Sequence, residues 1–161
     1  MVNYKGIALF LGLFTLPFFL GAQLLTPNRN FSRTDSLRGS LNPNRTWWEV
    51  KRYDLEVEPD FTTKTIRGRN TIKFSGNAGT VMQLDLQQPL IIDSILFRGS
   101  RLSFTRDSNI ALVVFPEVFL TLAKQDYFIS IYYHGKPKEA RRPPWDGGWI
   151  WTRDAQGRPW M

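Results

Sequence analysis

The sequence of 161 residues contains no cysteine and a single histidine, His134. No disulfide can staple the fold, no lipid can be attached through a thiol, and a zinc site made from His and Cys cannot be assembled. The two histidines of an H-E-x-x-H helix cannot be present, which excludes that catalytic zinc motif on inventory. A G-x-S-x-G elbow to present a serine nucleophile is missing, as are the G-x-x-x-x-G-K and G-x-G-x-x-G loops that cradle phosphate. His134 stands beside Gly135-Lys136-Pro137 at a strand end, where an exposed or locally bonded histidine is expected and a catalytic one is not.

Long apolar runs are scarce too. One run, residues 7–20, follows Lys5 and is broken by Thr15 and Pro17. It falls short of the roughly 20 apolar residues that span a membrane. Leu20-Gly21-Ala22 resembles a small-residue cleavage site before Gln23, so residues 1–22 read as a secretory signal peptide. The expected location is a periplasm or the extracellular space, with no membrane attachment after cleavage.

Helical periodicity is the next absence. Residues 23–45 are polar and punctuated by Pro27, Asn28, Asn30, Gly39, Asn42 and Pro43, which reads as a leader or linker. Within it Asp35 to Ser40 has room for one turn of structure, with Leu37 placed to dock on the domain. From residue 46 onward the period is two. Tyr53, Leu55 and Val57 alternate with Asp54, Glu56 and Glu58, predicting a strand over 48–58 with one buried face. Pro59-Asp60 turns it, and Ile66, Gly68, Asn70, Ile72 and Phe74 share one face of a return strand. Gly68 leaves a gap on that face, the mark of a bulge or of close approach by another backbone. Further strands are expected over 81–86, 91–98, 102–105, 110–115, 119–122 and 127–133, the last setting Tyr127, Ile129, Ile131 and Tyr133 opposite Phe128, Ser130 and Tyr132, aromatic and β-branched on both sides as befits a central strand. Short strands at this spacing, with turns between them, indicate an all-β antiparallel sandwich or saddle-like sheet covering residues 46–161.

The net charge of +7 is spread along the chain, and export removes it from nucleic acid, so no nucleic-acid partner is expected. Lys136, Lys138, Arg141 and Arg142 read as a solvated loop. Asp54, Glu56 and Glu58 lie roughly 7 Å apart along one strand face, a separation that an inverting glycosidase pair also shows. Any wet acidic strand gives that spacing, and a solvated face is the expected role.

Tryptophan is concentrated where the chain ends. Trp145, Trp149, Trp151 and Trp160 flank the turn signals Asp146-Gly147-Gly148 and Asp154-Ala155-Gln156-Gly157. Each indole can bury roughly 150–250 Å² and has to pack somewhere. Trp145, Asp146, Trp149, Trp151 and Trp160 are therefore candidates for a surface that meets a neighbouring domain or a ligand. A sugar-stacking platform on a self-sufficient extracellular binding module is the alternative. The second turn shows no completed return strand, which suggests the front part of a longer protein.

Taken in order, Trp47-Trp48-Glu49-Val50, Tyr53-Asp54-Leu55-Glu56-Val57, Thr65-Ile66-Arg67-Gly68-Arg69-Asn70-Thr71-Ile72, Gln83-Leu84-Asp85-Leu86 and Ile131-Tyr132-Tyr133-His134-Gly135-Lys136-Pro137 resemble the opening domain of the aminopeptidase N family of zinc metallopeptidases. Pro143-Pro144-Trp145-Asp146-Gly147-Gly148 is similar to a secreted bacterial branch of that family. The resemblance covers nearly all of the chain after the signal segment. It implies a β domain that leans on a thermolysin-like catalytic domain and walls one side of its peptide cleft. The family's zinc ligands, its G-x-M-E-N motif and its late Gln or Glu have no counterpart here. No catalytic or metal role passes to any residue of this chain, and zinc and peptide substrate are implied only for a full-length enzyme. The implied partner is a catalytic domain, in cis or in trans.

Overall fold

The computed structural model describes residues 30–76, 79–116 and 125–161. The segment read as a signal peptide lies outside the described residues, as does the strand expected over 119–122. Residues Phe31–Met161 form a compact unit. Its elements are α1 (Arg33–Gly39), α2 (Pro43–Thr46), β1 (Trp48–Asp60), β2 (Thr65–Gly76), β3 (Val81–Asp85), β4 (Ile91–Phe97), β5 (Ser100–Arg101), β6 (Phe104–Asp107), β7 (Ile110–Val114), β8 (Tyr127–Gly135), β9 (Thr152–Arg153) and β10 (Pro159–Trp160).

Every strand pair among the described residues is antiparallel. A five-stranded sheet runs β1-β2-β8-β4-β5 and a three-stranded sheet runs β3-β7-β6, with β9 and β10 as a separate hairpin. The β8 strand lies between β2 and β4, so its alternate residues Tyr127, Ile129, Ile131 and Tyr133 are buried, as a central strand requires. The two larger sheets share one core. Ile72, Phe74, Ile95, Phe97 and Ile129 come from the larger sheet, and Met82, Leu84, Ala111 and Val113 from the smaller one. This is the all-β antiparallel sandwich that the period of two predicts.

The residues read as a linker are built into the unit from Phe31 onward. Ser32 caps α1 in a capping box with Asp35, and Asn42 caps α2 with Pro43 in the first turn. Gln83, on the polar side of β3, reaches this strap. Its Nε2 donates to the Leu37 carbonyl at 2.9 Å and its Oε1 accepts from Asn42 Nδ2 at 2.9 Å. Arg45 pairs with Asp85 at 2.5 Å and Arg33 with Asp107. Gln83 is consequently only 4% exposed. The alternation in β3 suggests a wet Gln83, and the strap is what buries it.

Trp47 fastens the end of the strap. Its ring meets Phe74 and Phe115 edge-on at 6.3 and 5.7 Å, and its Nε1 donates to the Val81 carbonyl at 2.6 Å. Gly79 lies so close beneath the indole that a Cβ there would overlap the ring. The gap at Gly68 has a similar cause: the Tyr133 ring from β8 fills the space of a side chain, so the neighbour is a ring and not a backbone.

The β1 strand departs from its expected burial. A bulge between Val50 and Arg52 separates two parts of the strand. Before it, Trp48 and Val50 pack against the core. After it, Tyr53, Leu55 and Val57 remain 54, 64 and 40% exposed. They face the same way as Ile72, Asn70 and Gly68, their partners in register. The core is covered from above by β3, β7 and β6, and β1 lies at the far margin of the sheet.

Candidate functional site

The tryptophan-rich segment is shaped mainly by backbone bonds. After β8, Glu139 and Trp149 form a parallel bridge, in which the Ala140 amide donates to the Trp149 carbonyl at 3.0 Å and the Trp149 amide donates to Lys138 at 2.8 Å. The Asp146 carboxylate closes the intervening loop by accepting from the Arg141 and Arg142 amides, each at 2.7 Å. Those two bonds hold its pKa below the ordinary carboxylate value. Gly148 passes close enough to the Ala140 amide that only a residue without Cβ fits.

The candidate tryptophans divide into two sets. Trp149 and Trp151 stack on each other with centroids 5.7 Å apart, and Trp151 meets Phe61 edge-on at 5.5 Å. Phe61 belongs to the turn between β1 and β2, so the stack ties the terminal segment to that hairpin. The Trp151 Nε1 is buried without a hydrogen-bond partner. Trp145 and Trp160, by contrast, are 88 and 61% exposed. The structure thus joins Trp149 with Trp151 and leaves Trp145 and Trp160 on the surface. Stacking each of the joined rings on the other uses one face of both, which is packing chemistry.

The second turn is completed. Asp154 accepts from the Gln156 and Arg158 amides, Gly157 takes φ +80°, and the two residues of β10 return beside β9. The return strand missing from the sequence reading is present, only two residues long.

A second cluster sits on the outer face of the large sheet. A β4 bulge between Ile92 and Ser94 turns Asp93 toward β8, where its Oδ1 lies 2.6 Å from His134 Nδ1. Glu58, Arg67, Asp93 and His134 line a hollow of about 530 Å³ there. His134 is a strand residue, outside any turn, and its bonded partner Asp93 escaped the sequence reading. The sequence Ile91-Ile92-Asp93-Ser94, which breaks the period of two, was the available signal of the bulge. Among the described residues no group of three or more His, Asp or Glu side chains is placed to hold a metal ion.

An apolar hollow of about 440 Å³ opens between the exposed part of β1 and the small sheet, lined by Tyr53, Leu55, Ile72, Leu84, Ile131 and Tyr133 among others. Burial raises the Tyr133 phenol pKa. No helix among the described residues is long and apolar enough to cross a membrane.

Fold and terminal segment together define an antiparallel β-sandwich module closed by a tryptophan-rich loop. No family model and no curated protein matches the sequence. Solved structures do share the fold. An M1 zinc metallopeptidase from Deinococcus radiodurans, crystallised with a Tyr-Ser-Ala substrate, superposes with a TM-score of 0.51 at 18% identity, over 62% of this chain and 23% of that one. A two-domain M1 zinc metallopeptidase bound to L-arginine gives 0.52 at 18% identity, over 70% of this chain and 26% of that one. The likeness is one of fold, and the matched region is about a quarter of the neighbours' length.

Proposed function

We propose that this chain serves as the amino-terminal, non-catalytic β domain of an exported zinc-dependent aminopeptidase, supporting the catalytic domain and walling one side of its substrate cleft. The observation that carries the reading is the β fold shared with M1 zinc metallopeptidases over 62–70% of the chain. It is supported by the ordered strand motifs of the sequence, from Trp47-Trp48 to the Tyr132-Tyr133-His134-Gly135-Lys136-Pro137 run. Zinc and peptide turnover would belong to the catalytic domain, with this chain supplying surface. The exposed Trp145 and Trp160 are the residues proposed to meet that domain.

Two measurements test the reading. The purified chain, titrated with zinc and incubated with alanine and leucine p-nitroanilides, is expected to bind no stoichiometric zinc and release no product; zinc-dependent turnover by this chain alone would overturn the assignment. Expressed in a bacterium, the exported form is expected to begin at Gln23 on amino-terminal sequencing. Retention of residues 1–22 on a chain held inside the cell would refute export.

A further inference from the structure

The β1 strand is the margin of the five-stranded sheet: it pairs with β2 on one side, and among the described residues no strand pairs with its other side. A margin of this kind presents a row of unused backbone amides and carbonyls, which proteins usually protect with proline, bulges or inward-pointing charge. Here the bulge lies before Arg52 and Pro59 lies after Glu58, so residues 52–58 contain neither and carry charge on one face only, at Arg52, Asp54, Glu56 and Glu58. Over the same stretch one face is apolar and exposed at Tyr53, Leu55 and Val57, next to the 440 Å³ hollow that Tyr53 and Leu55 help to line. The other face carries Asp54, Glu56 and Glu58. Asp54 is paired with Arg52 and Glu56 with Arg69, whereas Glu58 has no ion pair among the described residues although Arg67 is its partner in register.

We propose that residues 52–58 of β1 accept an extended segment of another polypeptide, one that alternates apolar residues with lysine or arginine. The backbone row specifies a strand, because only an extended chain can meet successive amides and carbonyls. Alternation follows from the two faces: apolar side chains on one side continue the exposed Tyr53-Leu55-Val57 row toward the hollow, and a cation on the other meets Glu58. A second copy of this chain is the poorer occupant. Antiparallel self-pairing centred on Leu55, the register that overlaps the whole stretch, sets Asp54 against Glu56 twice and Arg52 against Glu58 twice, so its like-charge and opposite-charge pairs offset each other, whereas a lysine-bearing strand meets the three carboxylates with cations alone.

The test uses the full chain with a fluorescein-labelled peptide of alternating lysine and valine, seven residues long, and a counterpart with glutamate in place of lysine. Expected are saturable anisotropy with the lysine peptide, slowed amide exchange confined to residues 52–58, and binding at least about tenfold weaker for the glutamate peptide. Leu55→Lys should weaken binding by about tenfold or more, while Val114→Lys, a change at an exposed apolar residue of β7, should leave it unchanged. Unchanged exchange protection in β2 and β8 shows that each variant is folded. Absence of saturable binding, equal binding of both peptides, protection away from β1, or an unaffected Leu55→Lys variant would each overturn the proposal. So would a peptide-free dimer that already protects residues 52–58, which would assign the margin to a second copy.

Discussion

Gly68 shows how much one missing methyl group can specify. The Tyr133 ring occupies the place of its side chain, and both residues are buried in the middle of the large sheet. Gly68→Ala removes some unfolded-chain entropy, worth roughly 0.5–1 kcal/mol, but forces a buried ring to move at a cost of roughly 1–3 kcal/mol. The variant is therefore expected to be less stable by about 1–2 kcal/mol in urea unfolding. Adding Tyr133→Leu should recover part of that loss, because the smaller side chain vacates the overlap; a double-mutant cycle showing plain additivity would refute the contact as the cause. Trp151 belongs to the same scale. Its ring is spent on Trp149 and Phe61, so its part is to hold the terminal segment to the β1–β2 turn.

Among the elements, the strap of α1 and α2 meets the small sheet through one buried side chain, Gln83, beside Trp47 and the Arg33–Asp107 and Arg45–Asp85 pairs. Gln83 donates to the Leu37 carbonyl and accepts from the Asn42 amide at once, and replacing it with leucine removes the Asn42 bond and leaves the Leu37 carbonyl with only the longer contact from Arg45 Nη2 at 3.4 Å. Gln83→Leu is expected to cost about 1–3 kcal/mol, with amide exchange accelerating in α1 well before the large sheet opens. Equal acceleration in α1 and β8 would mean that the strap is held mainly by Trp47 and the Arg45–Asp85 pair. The β1 strand is the opposite case, an element whose second half gives little of its side-chain area to the core and holds chiefly through β2.

For the whole molecule, charge regulation falls on surface carboxylates. Hydrogen bonds from Thr63 and the Thr62 and Thr63 amides lower the Asp60 pKa, a bond from Arg33 lowers that of Asp107, and the Arg141 and Arg142 amides lower that of Asp146. A carboxylate whose folded pKa lies below its unfolded value contributes stability that is complete above the unfolded value, about 3.9 for Asp. That contribution is lost as pH falls through the folded value. The melting temperature is accordingly expected to be insensitive to these groups near neutrality and to fall in acid below about pH 4. Asp107→Asn should flatten part of that acid dependence; a variant with the same acid slope as the unaltered chain would show that the Arg33 contact contributes nothing. As each of these groups is exposed, the individual effects are expected to be small.

The sequence by itself determined the class of fold, because side chains alternate across a strand with a period of two and turn chemistry sets the intervals between strands. It determined the pairing of β1 with β2 and the central place of β8, whose residues include aromatic side chains on both sides. It also excluded zinc sites of the His and Cys kinds, since inventory does not depend on geometry. Tertiary structure alone decided which alternating faces are dry. The pattern in β1 and that in β3 look alike, yet the apolar row of β1 stays in solvent at the sheet margin while the polar Gln83 is buried under a strap formed by residues that carry no strong period. Only three-dimensional packing could separate Trp149 and Trp151, stacked on each other with Trp151 against Phe61 some ninety residues earlier, from Trp145 and Trp160 on the surface. Periodicity reports which face of an element can be buried; what covers that face is a contact between residues distant in the chain, and local spacing carries no record of it.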